Sequence, residues 1–196
     1  MNNSFLETIK SVEGESLNVF YHQKRYEGVL RSLGATKFKN LRACLNPPKH
    51  GVFRCRVVYS KDAVEVTYHA YVKRDVKTLK LIYDDEIEYS KKYADRKKLD
   101  ELFLQKDEAD DILIIKNNLV TDTSVANIAF FDENRWITPA QPLLKGTARA
   151  RLLDQGKIFE QEIRVEDLKN FSKVALLNAM IDFDIILQEN TRDIYC

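Results

Sequence analysis

The chain has 196 residues, with 31 Lys and Arg residues against 30 Asp and Glu residues and a formal net charge of +1. This balance excludes a protein whose surface as a whole attracts nucleic acid or an anionic membrane. Hydrophobic residues make up 44% of the chain, as in an ordinary globular protein, and no apolar run approaches the roughly 20 residues that span a bilayer.

The first part of the chain predicts a helix followed by an antiparallel sheet. Apolar residues recur with a helical period from Asn18 to Leu33. Two runs rich in β-branched and aromatic residues, 52–59 and 63–71, are joined by a short polar link and predict a hairpin. Residues 78–83 predict a third strand. We therefore expect residues 1–84 to form a small α+β lobe, with the acidic residues 84–86 at its boundary.

Residues 85–196 predict a larger α/β lobe that is rich in strands at first and helical later. Turn signals separate the short apolar runs, and the glycine in 145–147 marks the entry to a later helix. The predicted helices cover 95–103 and 143–153, and the predicted strands cover 112–115, 119–121, 128–131 and 136–138.

The cysteines and histidines indicate neither a disulfide framework nor a metal site. Cys44, Cys55 and Cys196 are odd in number and widely spaced, so we expect free thiols in a reducing cytoplasm. The three histidines are dispersed, and no carboxylate pattern completes a metal site around them. The N-terminus has no basic segment followed by an apolar stretch, so no secretory signal is expected.

Several residues have the chemistry that pyridoxal phosphate (PLP) requires. That cofactor needs a lysine amine for a Schiff base, a cup of backbone N–H groups and an arginine for its phosphate, and a carboxylate beside its pyridine nitrogen. Lys92, Arg25 and Asp122 are candidates for the side chains, and the entry to the later helix at Gly146 is a candidate for the cup. Taken singly, each of these residues also has an ordinary structural explanation.

Three segments follow one another along the chain: F-L-E-T-I-K at 5–10, Y-H-Q-K-R at 21–25 and K-Y-A-D-R at 92–96. In sequence and in order they resemble segments of fold-type IV PLP-dependent enzymes, the class IV aminotransferase and 4-amino-4-deoxychorismate lyase family. Residues 5–10 and 21–25 resemble the family's opening, an "E-T-hydrophobic" segment followed by "H-x-x-R" on the first helix. The arginine of that motif binds the PLP phosphate in the family, so the resemblance gives this role to Arg25. Residues 92–96 are similar to "K-x-x-N-R", which makes Lys92 the cofactor-binding lysine. Lys91 remains the alternative, because only the spacing to Asp95 and Arg96 favours Lys92.

The resemblance continues through the second part of the chain. Residues 109–115 resemble the family's "A-D-E-A-L" strand, and 120–128 resemble "V-T-E-x-x-x-x-N-hydrophobic". Asp122 and Asn127 take the places of the cofactor-binding glutamate and asparagine in that motif. Residues 138–149 are similar to the phosphate-binding "T-P…L-x-G-x-x-R", and residues 176–180 to a segment near the active site. These last two similarities make Gly146, Thr147 and Ala148 cofactor-binding residues and Asn178 a substrate-binding residue.

The resemblance also implies an architecture. It predicts a two-lobed α+β fold like that of D-amino-acid aminotransferase, with PLP at the lobe junction, a homodimer and a small amino-acid-like substrate, and with neither nucleic acid nor membrane as a partner. Two positions depart from the family pattern. Asp122 is one methylene shorter than the glutamate it replaces, and Ala148 stands where many members carry threonine.

The residue types leave the reaction open between two classes. The favoured interpretation is a 4-amino-4-deoxychorismate lyase, which releases pyruvate and 4-aminobenzoate for folate biosynthesis, because residues 124–127 resemble the lyases' small apolar version of the motif. The alternative is an aminotransferase acting on branched-chain or D-amino acids. A second alternative, motivated by the short first lobe and Asp122, is a catalytically degenerate relative. Arg54 and Arg56 share one face of a strand, which is either a solvated face or a patch for substrate carboxylates, with Arg56 favoured for that role.

Overall fold

A computed structural model describes residues 4–187, and the chain divides into two compact units. Unit 1 comprises the described residues up to Lys73 together with Lys91–Asp95. Unit 2 comprises Arg74–Ser90 and the described residues from Arg96 onward. Each unit combines helices with a sheet of its own, so the predicted mixed fold class is confirmed.

Unit 1 is an antiparallel sheet with one long helix. Its four strands run in the order β2-β1-β3-β4. The predicted hairpin is confirmed, because Val58 pairs with Glu65 and Phe53 with Ala70 across its two strands. The elements are β1 (Phe5–Val12), β2 (Glu15–Ser16), α1 (Val19–Ser32), α2 (Leu41–Cys44), β3 (Val52–Tyr59) and β4 (Val64–Ala70).

The core of unit 1 lies between α1 and one face of this sheet. Alternation along β1 turns Phe5 and Ile9 to that face, where they meet Tyr26 and Leu30 of the helix. Lys91–Asp95 joins this unit because Tyr93 forms a bridge with Phe5 and packs against the same core. The opposite face of the sheet carries polar side chains such as Lys10, Arg54 and Arg56.

Unit 2 is built on an eight-stranded sheet. Six strands follow the order β10-β9-β8-β7-β6-β5, while β11 pairs with both β8 and β12. The elements are β5 (Leu79–Tyr83), α3 (Lys97–Phe103), β6 (Asp111–Lys116), β7 (Leu119–Thr123), β8 (Asn127–Phe131), β9 (Trp136–Pro139), α4 (Thr147–Asp154), β10 (Phe159–Gln161), β11 (Lys173–Asn178) and β12 (Asp182–Leu187). Two 3-10 helices lie at Leu104–Lys106 and Val165–Asn170.

The expectation that residues 78–83 extend the first sheet is wrong. The strand β5 runs parallel to β6, with Leu79 opposite Asp111, and the Leu79 side chain is buried in the core of unit 2. A strand of alternating apolar residues fits either sheet, and its partner is decided by which apolar face it can cover. The change between units therefore falls at Lys73, ahead of β5, whereas the sequence suggested a boundary after residue 84.

The later part of unit 2 also differs from expectation. The sequence predicted mainly helices there, but β10, β11 and β12 are strands. The predicted helix over 143–153 begins only at Thr147. The helix does not reach back to Leu144, because the N-cap residue Gly146 has an extended backbone. The backbone of Leu144 instead contacts two side chains: its N–H donates to Asp122 and its carbonyl accepts from Asn127.

None of the helices in the described part of the chain has the length and apolar character needed to cross a membrane. Within residues 4–187, no cluster of three or more His, Cys, Asp or Glu side chains could hold a metal ion. Cys44 and Cys55 are free thiols, and Cys196 lies outside the described residues.

Candidate active site

A buried carboxylate organises the polar residues of unit 1. Glu7 lies on β1 and is fully buried, on the face that turns towards α1. Arg25 donates to both of its oxygens, from Nε to Oε1 at 2.8 Å and from Nη2 to Oε2 at 2.6 Å. His22, one turn earlier on the helix, places Nδ1 2.6 Å from Oε2 of the same carboxylate. The "H-x-x-R" spacing thus puts both side chains against one acid.

The charges and hydrogen bonds among Glu7, His22 and Arg25 decide which of these side chains are protonated. Burial alone would raise the pKa of Glu7, but the charge of Arg25 and the hydrogen bonds from His22 and Arg25 outweigh it and hold the pKa at about 2. Burial lowers the pKa of His22, and the charges of Arg25 and Lys92 lower it further, against the opposing effect of Glu7. Glu7 is therefore ionised and His22 is neutral at neutral pH, with its proton on Nδ1.

Lys92 lies beside the strand that carries Glu7. The backbone carbonyl of Lys92 accepts from Leu6 N at 2.8 Å, and Ala94 N donates to the Ser4 carbonyl at 2.9 Å. The Lys92 charge acts on His22, so the predicted lysine and the predicted arginine belong to one electrostatic neighbourhood in unit 1. The side chains of Lys91 and Lys92 are both half-buried, and burial therefore does not choose between them.

Arg56 lies on the opposite face of the unit 1 sheet. Arg54 and Arg56 alternate with the buried Cys55 and Val57 on β3, so both turn away from the core, as their spacing predicted. In the pairing with β1, Lys10 lies opposite Arg54. This polar face therefore concentrates three cations on two neighbouring strands.

Unit 2 contains a second buried carboxylate of the candidate site, at the position predicted to pair with the pyridine nitrogen. Asp122 lies on β7, and its Oδ1 accepts from Asn127 Nδ2 at 2.6 Å. Its Oδ2 accepts from Leu144 N at 2.8 Å. The Asn127 amide also donates to the Leu144 carbonyl at 2.8 Å. Asp122 and Asn127 therefore fix the turn that leads into α4.

The pKa of Asp122 is raised to about 7. Burial is the main cause, and it outweighs the hydrogen bonds from Leu144 and Asn127 and the more distant charge of Arg149. Among the described residues, those that contact this carboxylate are neutral donors. A cationic N–H placed beside Asp122 would lower its pKa and complete its environment.

Gly146, Thr147 and Ala148 form the start of α4. A Cβ on Gly146 would lie 2.1 Å from Asn127 Oδ1, so this position admits only glycine unless the amide moves. Thr147 and Ala148 are buried in the first turn, whose backbone N–H groups have no acceptors within the helix. The Arg149 guanidinium ties this turn to the Pro139 carbonyl and to Glu160. N–H groups at the start of a helix are the donors that a phosphate needs, and the phosphate-binding role of this turn stays a prediction.

Asn178 ends β11, and its side chain is engaged in the following turn. Its Oδ1 accepts from Met180 N at 2.9 Å and from Ile181 N at 3.1 Å. Its Nδ2 donates to the Val125 carbonyl at 3.4 Å, in the loop that follows Asp122. A substrate-binding role for Asn178 stays a prediction.

Comparison with known proteins places the chain in a family. The model of the protein family described as "Amino-transferase class IV" matches residues 91–186. A solved structure from Haemophilus somnus, named a "putative 4-amino-4-deoxychorismate lyase", has 37% sequence identity and a TM-score of 0.84, and the match covers 92% of this chain and 97% of that one. The chain belongs to the class IV aminotransferase family.

Two curated proteins are also similar to this chain. An uncharacterised protein from Haemophilus influenzae is 39% identical over 180 residues, which cover 89% of this chain and 96% of that protein. A "putative aminodeoxychorismate lyase" from Schizosaccharomyces pombe is 36% identical over 81 residues, 38% of this chain and 35% of that protein. The predicted family, the predicted fold and the prediction of an enzyme of a PLP-dependent family are confirmed.

Sequence reasoning assigned no role to Glu7 or His22, although both lie in quoted motifs. The signal was available at Glu7, an acid between the core-facing Phe5 and Ile9 on a strand of period two. An acid at such a position requires a partner, and the helix that packs on this face offers Arg25.

Proposed function

We propose that this class IV aminotransferase family member binds PLP through Lys92 and acts as a lyase on 4-amino-4-deoxychorismate or a close analogue. It would release pyruvate and 4-aminobenzoate, as a cytoplasmic homodimer that supplies folate biosynthesis. The observation that carries the cofactor assignment is Asp122, a buried carboxylate with a raised pKa whose protein contacts are neutral donors.

The residues of both units fit the chemistry of the cofactor. A pyridinium N–H would supply the cation that Asp122 lacks, and the N–H groups of Gly146, Thr147 and Ala148 at the start of α4 suit a phosphate. The guanidinium of Arg25 likewise suits a phosphate. Bound PLP would supply an electron sink for the carbon next to the substrate amine.

Lys92 would have two tasks in the reaction. Its amine would hold the cofactor between turnovers, and once the substrate amine has displaced it, the freed amine would take a proton from the substrate. In a lyase, this proton removal would be followed by cleavage of the C–O bond to the enolpyruvyl group, which would take up a proton to become pyruvate. Arg56 would receive a substrate carboxylate, supported by the three cations on its face of the sheet, and the role proposed for Asn178 is substrate binding.

The lyase is favoured over the aminotransferase on two grounds. Residues 124–127 resemble the motif of the lyases, and two relatives above 35% identity carry lyase names. The aminotransferase alternative uses the same residues and differs in where Lys92 delivers the proton. It would act on branched-chain or D-amino acids.

The cofactor assignment is tested by the visible absorbance spectrum of the purified protein with added PLP. We expect a band from the Schiff base in the wild type, its loss in Lys92→Ala and its retention in the neighbouring control Lys91→Ala. Loss in Lys91→Ala alone would transfer the role to Lys91. If the wild type shows no band, the protein is the degenerate relative.

The reaction is tested by product analysis with the same preparation. Formation of 4-aminobenzoate and pyruvate from 4-amino-4-deoxychorismate is expected for wild type and not for Lys92→Ala. Turnover of branched-chain or D-amino acids with 2-oxoglutarate, and no 4-aminobenzoate, would replace the lyase by the aminotransferase. Sedimentation equilibrium of the same sample tests the homodimer.

A further inference from the structure

The Glu7 carboxylate makes more contacts than a buried ion pair needs. Arg25 meets it along one edge through Nε and Nη2, and His22 meets the same carboxylate through Nδ1. A carboxylate that takes two parallel N–H donors fixes the plane of a guanidinium as well as its distance. Glu7, which belongs to the same unit, therefore fixes the orientation of the Arg25 guanidinium.

The surroundings of Glu7 tighten this arrangement. Glu7 and His22 are 0% and 1% exposed, while the Arg25 side chain is 14% exposed. On the same face of β1, Glu7 lies between the core residues Phe5 and Ile9, so the packing of β1 sets the position of its carboxylate. The buried Glu7 thus holds the less buried Arg25 in place, as expected where one residue orients another that binds a ligand.

We propose that Glu7 is a positioning residue for the cofactor phosphate, acting through Arg25, and that His22 is the second group that holds the Glu7 carboxylate in place. The inference rests on the proposed function, because it takes Arg25 as a ligand of the phosphate. Neither Glu7 nor His22 touches the cofactor in this proposal.

The state of His22 supports the proposal. The Glu7 carboxylate is ionised and accepts from Nδ1, so this nitrogen carries the ring proton. Nε2 is buried, and in the described part of the chain it has no hydrogen-bond partner. A neutral ring adds a hydrogen bond to Glu7 without adding a second cation that would compete with Arg25 for the carboxylate.

A purely structural role would not require this chemistry. A buried ion pair adds little stability over well-packed apolar side chains, because both charges must be desolvated. An acid that only filled the core would also have no effect on one particular group of the cofactor. The two roles can therefore be separated by a ligand that lacks the phosphate.

The test compares the binding of PLP and of pyridoxal, which has no phosphate, to wild type and to Glu7→Gln. Glutamine keeps the size of the side chain but loses the charge and one acceptor. We expect the Kd for PLP to rise by about tenfold to a hundredfold, the range for a lost hydrogen bond to a charged group. The Kd for pyridoxal should stay within about twofold of wild type.

The control is Ser11→Ala, on the same strand and the same buried face. Ser11 is fully buried and its Oγ lies 3.0 Å from Ser16 Oγ, so the control also removes a polar contact from this strand. It should leave both dissociation constants unchanged. In the Arg25→Lys background, the effect of Glu7→Gln on PLP binding should shrink, because the two residues act on one group.

Each outcome bears on one claim. An equal loss of affinity for both ligands, or no loss for PLP, would overturn the positioning role of Glu7. Failure of the wild type to bind either ligand would instead remove the proposed function. If Glu7→Gln does not fold, Glu7→Asp keeps the charge and shortens the reach by one methylene, and it should show the same selective loss.

Ring-nitrogen NMR of the wild type should show His22 neutral and protonated on Nδ1, and a charged ring would contradict the proposal.

Discussion

Each of the two units contains one buried acid of the candidate site, and the pKa values of the two acids differ widely. Glu7 of unit 1 has a pKa of about 2, whereas Asp122 of unit 2 has a pKa of about 7. Burial raises the pKa of both. The difference comes from the partners, because Glu7 contacts a guanidinium and Asp122 contacts an amide and a backbone N–H.

This contrast separates an acid that orients other side chains from an acid that is available to a ligand. The charge of Glu7 is already satisfied within the protein, so this acid holds other side chains in place. Asp122 is oriented by neutral donors and has no cation in contact among the described residues, so a cationic ligand can lower its pKa. A buried acid thus indicates a ligand site only when its protein partners leave its charge uncompensated.

The largest expected effect comes from breaking the pair in unit 1. Arg25→Met leaves Glu7 buried without its cation, so we expect the free energy of unfolding in urea at pH 7 to fall by about 3–5 kcal/mol. The lowered pKa of Glu7 contributes stability above its ordinary value of 4.5, and this contribution disappears as pH falls towards 2. In the variant, the pKa of Glu7 should rise, and this part of the acid dependence should be lost.

The control is Arg31→Met on the same helix. Arg31 pairs with Glu27 at the surface, with 58% of its side chain exposed, and such pairs contribute at most about 1 kcal/mol. Equal destabilisation by the two variants would show that Glu7 does not depend on Arg25.

The second effect is the pH dependence due to Asp122. Its folded pKa of about 7 is above the ordinary value of 3.8, so the folded state holds this proton more tightly than the unfolded state. The contribution is therefore fully present below pH 4 and is lost as pH rises to 7, by at most about 1.4 kcal/mol per pH unit. Asp122→Asn should remove this slope from urea unfolding curves measured between pH 4 and 8.

Asp154→Asn provides the comparison, because Asp154 is exposed. It should leave the wild-type slope unchanged. A slope that survives in Asp122→Asn would mean that Asp122 is ionised in the folded protein, like Glu7, and the contrast between the two acids would fail.

The smallest expected effect comes from disturbing the neutral donors of Asp122. Gly146→Ala places a methyl group on Asn127 Oδ1, and we expect a loss of about 1–3 kcal/mol in unfolding free energy from overpacking. Displacement of Asn127 would weaken its hydrogen bond to Asp122, so the pKa of Asp122 should rise further.

Gly28→Ala is the matched substitution in unit 1. Gly28 lies within α1 with nothing within 4 Å of an added Cβ, so alanine there should stabilise the protein by about 0.5–1 kcal/mol. Thermal denaturation of both variants checks the opposite signs. A stabilising Gly146→Ala would show that the turn before α4 can move away from Asn127.

The family and many element positions could be predicted from the sequence. Helix α1 and the β3–β4 hairpin follow from local periodicity and turn residues, which depend on neighbours in the chain. The motifs named the candidate residues of both units, from Arg25 and Lys92 to Asp122 and Gly146. The roles of these residues stay predictions until they are tested.

Tertiary structure alone decided the rest. The partner of β5 depended on which apolar face it covers, and the turn that leads into α4 depended on Asp122 and Asn127, which are distant in sequence and take the backbone groups of Leu144. The different pKa values of Glu7 and Asp122 could not be predicted either, because a carboxylate's pKa depends on which charges and donors the fold brings into contact with it. The sequence by itself determined which groups are available, and the fold decided which of them meet.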